Sequence, residues 1–172
     1  GISYENSAAI TTNGDLYCWG YNSSGQVGNG TAANQTTPVK VLENVKSIYV
    51  YIYGSRNSTA ITTNGDLYCW RYNEYGQIGN GTTVDQTTPV KILENVKSVS
   101  LGFEHSAAVT NNGDLYCWGG NYCGQVGNGT TIDQTTPVKV LQNVKSVSGF
   151  ESKNNAAITT NGDLYCWGYN LR

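Results

Sequence analysis

The sequence predicts an all-β fold, a β-propeller of about three and a half four-stranded blades, and three observations predict it. A string close to Gly-Asp-Leu-Tyr-Cys-Trp recurs four times, and its cysteines Cys18, Cys69, Cys117 and Cys166 step by 51, 48 and 49 residues. Gly-Gln-Val/Ile-Gly-Asn-Gly opens at Gly25, Gly76 and Gly124, and Thr-Thr-Pro-Val-Lys carries Pro38, Pro89 and Pro137, stepping again by 51 and 48. The 172 residues are rich in Tyr, Thr, Asn and Gly and hold no long helix-forming run. Three independent strings on one step define an internal repeat, and ~50-residue units of short strands are the pattern of propeller blades.

The third unit shows the elements. Ser106–Thr110 and Asp114–Trp118 are two β-rich runs separated by a turn containing Asn112-Gly113. Asn-Gly between such runs predicts a hairpin with a type I′ turn, which needs positive φ at both central residues. The same pair recurs at Asn13-Gly14, Asn64-Gly65 and Asn161-Gly162. The glycine-rich segment that follows reads as a loop with unusual backbone angles. Pro137–Leu141 alternates apolar and polar, with proline as the expected first strand residue. A short Gln142–Asn143 turn leads to Lys145–Ser148, the fourth strand. Units then run approximately 1–47, 48–98, 99–146 and 147–172, the last incomplete. A sheet buried on both faces between neighbouring blades accounts for small, apolar Ser-Ala-Ala-Ile-Thr strands and one large Trp per unit.

Leu-Tyr-Cys-Trp-Gly, then Gly-Gln-Val-Gly-Asn-Gly-Thr, Thr-Thr-Pro-Val-Lys-Val-Leu and Val-Lys-Ser-Val-Ser, with His-Ser or Asn-Ser before Ala-Ala, resembles the regulator of chromosome condensation repeat. The resemblance covers essentially the whole chain. It implies a seven-bladed propeller of which this sequence is a fragment. The activities it implies are diverse: nucleotide exchange on the small GTPase Ran, chromatin binding, UV-B perception, β-lactamase inhibition, and anchoring within larger proteins. The resemblance therefore carries a fold more firmly than a function.

Composition excludes some classes. A formal charge of −2 with 13% charged residues is a weak field for phosphates, so no nucleic-acid partner is expected. No stretch approaches the ~20 apolar residues of a membrane helix, so no membrane insertion is expected. The sequence starts at Gly1 and contains no Met, so the natural N-terminus is expected elsewhere and export is left unassigned. The Asn/Thr/Tyr-rich repeats are similar in composition to those of bacterial surface or secreted proteins. The odd cysteine count favours a reducing compartment.

Four repeated cysteines raise the question of zinc. A zinc site needs four thiolates within about 2.3 Å of one ion, and equivalent positions in successive blades lie too far apart for that or for disulfides. Each reads as a small buried apolar residue beside Trp. Cys123, standing where the other units have Ser24 and Tyr75, reads as a loop thiol without a mate. His105 is the only histidine, and its equivalents are Asn6, Asn57 and Asn154, so a structural cap at strand entry is expected rather than a general base. Asp15, Asp66, Asp114 and Asp163 follow the hairpin glycines and read as turn residues, with no calcium-loop spacing. The glycine-rich loop lacks the Lys-Ser/Thr of a phosphate loop. Asn-x-Ser/Thr triplets at Asn22, Asn29, Asn34, Asn57, Asn80 and Asn128 are weak glycosylation signals, half of them being the repeat's own Asn-Gly-Thr. The plant photoreceptor of the family carries a Gly-Trp-Arg-His-Thr string. Gly102–Ser106 reads Gly-Phe-Glu-His-Ser here and lacks the Trp and Arg, which disfavours photoreception.

Shared positions build the scaffold, so departures mark candidate partner contacts. In the second unit Ser47–Gly54 is lengthened, and Tyr49, Tyr51 and Tyr53 alternate onto one face. Interface anchor and inner strand packed on a neighbour are both open readings. Arg71 replaces Gly20, Gly119 and Gly168 and, with Arg56 and Glu74, offers a charged rim. Should that Gly have positive φ, Arg71 carries strain or the turn differs. The loops before the Ser-Ala-Ala strands vary and bring Phe103-Glu104 and Phe150-Glu151 to one end of the propeller. The expected function is a non-catalytic protein-interaction scaffold with no cofactor and no metal. It binds a protein partner, with self-association through open blade edges as a second route. The alternatives are a guanine-nucleotide exchange factor-like regulator of a small GTPase or an enzyme-inhibitor propeller. An enzyme, ranked third, needs a pocket around His105 and Cys123.

Overall fold

The computed structural model describes residues 6–49, 57–149 and 153–170. Fourteen strands in these residues form four antiparallel sheets, with no helix among them. β1 (Asn6–Ile10), β2 (Leu16–Gly20) and β3 (Gln35–Leu42) make the first sheet. β4 (Val45–Tyr49), β5 (Asn57–Thr62), β6 (Leu67–Arg71) and β7 (Gln86–Leu93) make the second. The third holds β8 (Val96–Leu101), β9 (His105–Thr110), β10 (Leu115–Gly119) and β11 (Gln134–Leu141), and the fourth β12 (Val144–Gly149), β13 (Asn154–Thr159) and β14 (Leu164–Gly168). Strand order within each sheet follows the chain, as in an up-and-down blade. Two four-stranded and two three-stranded sheets amount to about three and a half blades.

The two-residue turns 43–44, 94–95 and 142–143 carry the chain from the outer strand of one sheet to the first strand of the next. The unit boundaries 47/48, 98/99 and 146/147 fall inside β4, β8 and β12, three residues beyond the turns that join the sheets. Asn44, Asn95 and Asn143 hold these turns at φ 57–59°, a left-handed conformation asparagine tolerates. Each turn is tied on both sides. Val45 N–H donates to the Gly14 carbonyl at 2.8 Å, and the Asn44 carbonyl accepts from Thr63 N–H of the next hairpin at 2.7 Å.

The hairpins differ from the type I′ expectation. Gly14, Gly65, Gly113 and Gly162 have φ of 81–93°, while the preceding asparagines do not have positive φ. Gly14 N–H donates to Thr11 O at 3.0 Å and Thr11 N–H to Asp15 O at 2.9 Å. This is a three-residue loop, a type I turn closed by a left-handed glycine. Only the glycine is needed at positive φ, because Thr11 Oγ1 caps the turn by accepting from Asp15 N–H at 3.0 Å. The proline expectation is also corrected: Pro38, Pro89 and Pro137 sit inside β3, β7 and β11, not at their first residue. They are tolerated because these are outer strands and the register shifts beside each proline.

The core lies between sheets in three layers. Leu16, Cys18 and Val27 meet Val45, Ala60 and Trp70. Leu67, Cys69 and Ile78 meet Val96, Ala108 and Trp118. Leu115, Cys117 and Val126 meet Val144, Ala157 and Trp167. Alternation along the strand sends Leu and Cys to the following sheet and Trp to the preceding one. Cys18, Cys69 and Cys117 thus meet the tryptophan of the next unit, not the one beside it in sequence.

Candidate functional site

The end of the sheets where β9 begins and β10 finishes carries the longest loops, and their shape is set by one buried asparagine per unit. Asn22 donates from Nδ2 to the Thr31 and Ala33 carbonyls at 2.9 and 3.0 Å, and its Oδ1 accepts from Val27 N–H at 2.8 Å. Asn73 and Asn121 repeat the pattern. Their own N–H groups donate to Asp85 and Asp133 at 2.8 and 2.7 Å. Asn22, fully buried, is therefore no acceptor for a glycan. Asn29, Asn80 and Asn128 accept from the following threonine, so turn chemistry accounts for each Asn-Gly-Thr. This organising asparagine, repeating at 22, 73 and 121, was visible as a fourth string on the same step.

The candidate residues are placed unevenly. Tyr49 ends β4 opposite Thr59 and is 41% exposed. Tyr51, Tyr53, Arg56, Phe150 and Glu151 lie outside the described residues. Arg71 ends β6 opposite Asn57, at φ 91°, in register with Gly20 (113°), Gly119 (99°) and Gly168 (115°). The turn is therefore kept and the arginine carries its strain. Phe103 and Glu104 form the loop before β9 and are half-buried. The Glu104 carbonyl accepts from Gly120 N–H at 2.8 Å, and its Oε2 is buried without a hydrogen bond.

Around Glu104 the structure assembles residues that pattern reading missed. Lys153 Nζ sits 4.4 Å from the Tyr122 ring centroid and 5.6 Å from that of Tyr169. A hydrogen bond with Tyr122 raises the Lys153 pKa, and Glu104 adds to the rise. Tyr122 and Tyr169 are 47% and 43% exposed. Gly120 stands where other units have tyrosine, and a Cβ there would come 3.2 Å from Glu104 Cβ and 3.5 Å from Tyr75 Cβ. The signal was the departure of Tyr122 from Ser23 and Glu74. The result is a cation between two rings beside a carboxylate, on the loop end of the third and fourth sheets.

Among the described residues His105 and the cysteines do not form a catalytic group there. His105 is buried, and desolvation pushes its imidazole down to about 4, against an opposing hydrogen bond with Asn155. It is neutral at pH 7, and its Nε2 has no hydrogen-bond partner among the described residues. Burial pushes the Cys18 and Cys117 thiols up to about 12, and Cys69 higher still, which leaves no thiolate for nucleophilic or metal chemistry near neutrality. Cys166 departs from the buried expectation: it is exposed, because its face of β14 has no sheet against it among the described residues. Cys123 is a half-buried free thiol in its loop, as the sequence indicates. Among the described residues no group of three His, Cys, Asp or Glu converges on a metal-sized space.

Comparison with known proteins decides the family. A model of the regulator of chromosome condensation (RCC1) repeat matches residues 13–61, 64–109 and 112–152. The chain belongs to the RCC1 repeat family. A second model of that repeat matches 96–125. The chain is 33% identical over 105 residues to the ultraviolet-B receptor UVR8 of Arabidopsis thaliana, covering 58% of this chain and 24% of that protein. It is 34% identical over 98 residues to the human E3 ubiquitin-protein ligase HERC2, covering 55% of this chain and 2% of the ligase. It is 35% identical over 103 residues to the RCC2 homolog of Xenopus laevis, covering 58% of this chain and 20% of that protein. The chain thus spans a quarter or less of the length of these relatives. Human WBSCR16 superposes with a TM-score of 0.77 at 24% identity, over 99% of this chain and 47% of that one. Yeast RCC1 (Prp20), solved bound to Kap60, gives 0.76 at 24% identity, over 96% and 42%. These likenesses carry the propeller fold.

Proposed function

We propose that this RCC1-repeat chain is a non-catalytic protein-binding scaffold whose loop end receives the partner. The observation that carries this reading is the Tyr122–Lys153–Tyr169 cluster beside Glu104. Exposed aromatic rings, a cation and a carboxylate on a rigid frame are the composition of interface anchors. Tyr49, Phe103 and Arg71 add contacts at or near the same end, and Tyr51, Tyr53, Arg56, Phe150 and Glu151 belong to the same proposal by sequence position. The ligase activity of HERC2 does not bear on this chain, since the matched part is 2% of that protein.

The competing reading is nucleotide exchange, since the yeast Prp20p structure is described with binding to Gsp1p and histones. Release of fluorescent GDP from a Ran-type GTPase separates the two. The scaffold reading expects an unchanged release rate, and tenfold acceleration by the chain overturns it in favour of exchange. Once a partner is in hand, the double variant Tyr122→Ala/Lys153→Ala is expected to weaken binding at least tenfold. Thr12→Ala, at the opposite end, is expected to leave it unchanged.

A further inference from the structure

The first strand of the second, third and fourth sheets buries two residues that stand three apart. Val45 and Ile48 pack into one core layer, Val96 and Val99 into the next, and Val144 and Val147 into the third. Side chains of a regular strand alternate between faces, so residues three apart point opposite ways. An extra residue reconciles the two demands. In β4, Val45 lies opposite Thr62 and Ser47 opposite Ile61, which leaves Lys46 with no residue opposite it. Lys97 in β8 and Lys145 in β12 are extra in the same way. Each lysine is thus the unpaired residue of a bulge, which re-aims its side chain. All three are exposed.

Their charge is uncompensated. Lys40 holds Asp15 and Glu43, Lys91 holds Asp66 and Glu94, and Lys139 holds Asp114. Those carboxylates are therefore taken by lysines of the outer strands, and Lys153 lies between two rings. Among the described residues Lys46, Lys97 and Lys145 have no ion pair. The ends of the chain do not create this exposure. Lys97 belongs to the complete third sheet, and its strand packs on β5 of the complete second sheet. In turn β12 packs on β8 and β9, so the lysines follow one another from sheet to sheet. They lie where the turns 43–44, 94–95 and 142–143 deliver the chain, at the end away from Tyr122 and Lys153.

We propose that Lys46, Lys97 and Lys145 form a docking row for an acidic segment of a partner protein, whose carboxylates meet successive sheets. Charge complementarity selects the class, because three unpaired ammonium groups on rigid strands present one sign at a repeating position. Each lysine is followed by a serine, Ser47, Ser98 or Ser146, whose hydroxyl can donate to a carboxylate. Nucleic acid is the less suited anion. Among the described residues the row holds no arginine fork for phosphate and no aromatic residue for base stacking, and the chain as a whole carries −2. The row is separate from the loop end, so the proposal stands or falls apart from the reading above.

The probe is a labelled decaglutamate peptide titrated into the full 172-residue chain and followed by anisotropy. Saturable binding is expected, weakened at least tenfold on raising salt from about 50 to about 200 mM, since screening shortens the reach of exposed charges. Lys97→Gln is expected to weaken it about threefold, and Lys46→Gln/Lys97→Gln/Lys145→Gln to abolish it, with the fold of each checked by circular dichroism. Val84→Glu, at an exposed loop residue of the other end, lowers the net charge as Lys97→Gln does and is expected to leave affinity unchanged. Absent saturation at the lower salt, affinity retained by the triple variant, or equal losses from Lys97→Gln and Val84→Glu overturns the proposal. So does tighter binding of an oligothymidylate of equal charge, which would assign the row to phosphates.

Discussion

His105 shows how one residue type serves a structural place while altering its pH response. It occupies the strand entry filled by Asn6, Asn57 and Asn154 in the other units, and burial holds its pKa at about 4 against an ordinary 6.5. With the folded pKa depressed, the unfolded chain binds the extra proton between those values. The stability from a neutral His105 is therefore complete above pH 6.5 and lost as pH falls towards 4, by on the order of 3 kcal/mol. His105→Asn, which borrows the residue of the other units, is expected to flatten urea-unfolding stability across that window. A wild-type profile retained by the variant would assign the acid response to other groups. Arg71 is the second instructive residue. It holds the φ of 91° that its counterparts meet with glycine, and left-handed backbone costs a non-glycine residue roughly 1–2 kcal/mol.

At the scale of the element, the sheets are joined by a recurring lock. The carbonyls of Gln26, Gln77 and Gln125 accept from the indole N–H of Trp70, Trp118 and Trp167 at 3.1, 2.9 and 2.9 Å. In two of the three a second donor joins, Ser106 Oγ at 2.8 Å or Asn155 Nδ2 at 2.7 Å. The loop approaches this closely only because a glycine lies against the ring. A Cβ on Gly79 would stand 2.7 Å from Trp118 Nε1 and 3.1 Å from Ile92 Cγ2, on a residue at φ 90°. Gly79→Ala therefore combines left-handed strain with overpacking and is expected to cost about 2–4 kcal/mol. Gly129→Ala, at φ 81° with nothing within 4 Å, isolates the backbone part and is expected to cost about 1–2 kcal/mol. Equal losses in the two, measured by denaturant midpoint, would remove the ring contact from the explanation.

For the whole molecule, the repeat fixes how its ends behave. Each internal sheet meets a loop from the sheet before it and presents its own loop to the sheet after. Among the described residues Trp19 is half-buried with no loop of the same kind upon it, and β14 has no outer strand beside it. The three loops and three outer strands of a second copy are already in use, so head-to-tail closure by two copies does not satisfy either end. Light scattering at low micromolar concentration is therefore expected to give 18.5 kDa, the mass of one chain. A discrete species of twice that mass would show that the ends find another mode of covering each other.

Spacing alone determined the architecture. Strings recurring on one step, each with an Asn-Gly turn and a single Trp, specify short strands, tight hairpins and repeated blades, because those signals are local in the chain. The left-handed position at Arg71 and the buried role of Cys18, Cys69 and Cys117 were likewise legible by comparing units, while Cys166 is exposed. Tertiary structure decided what depends on neighbours distant in sequence. It showed which sheet each face meets, that Thr11 capping makes the hairpin a three-residue loop, and that Pro137 lies within an outer strand. It also brought Lys153 between Tyr122 and Tyr169, residues that are 31 and 16 positions away. The same strand sequence is sealed in β10 and open in β14, for burial belongs to the packing of one sheet on another and not to the strand's own residues.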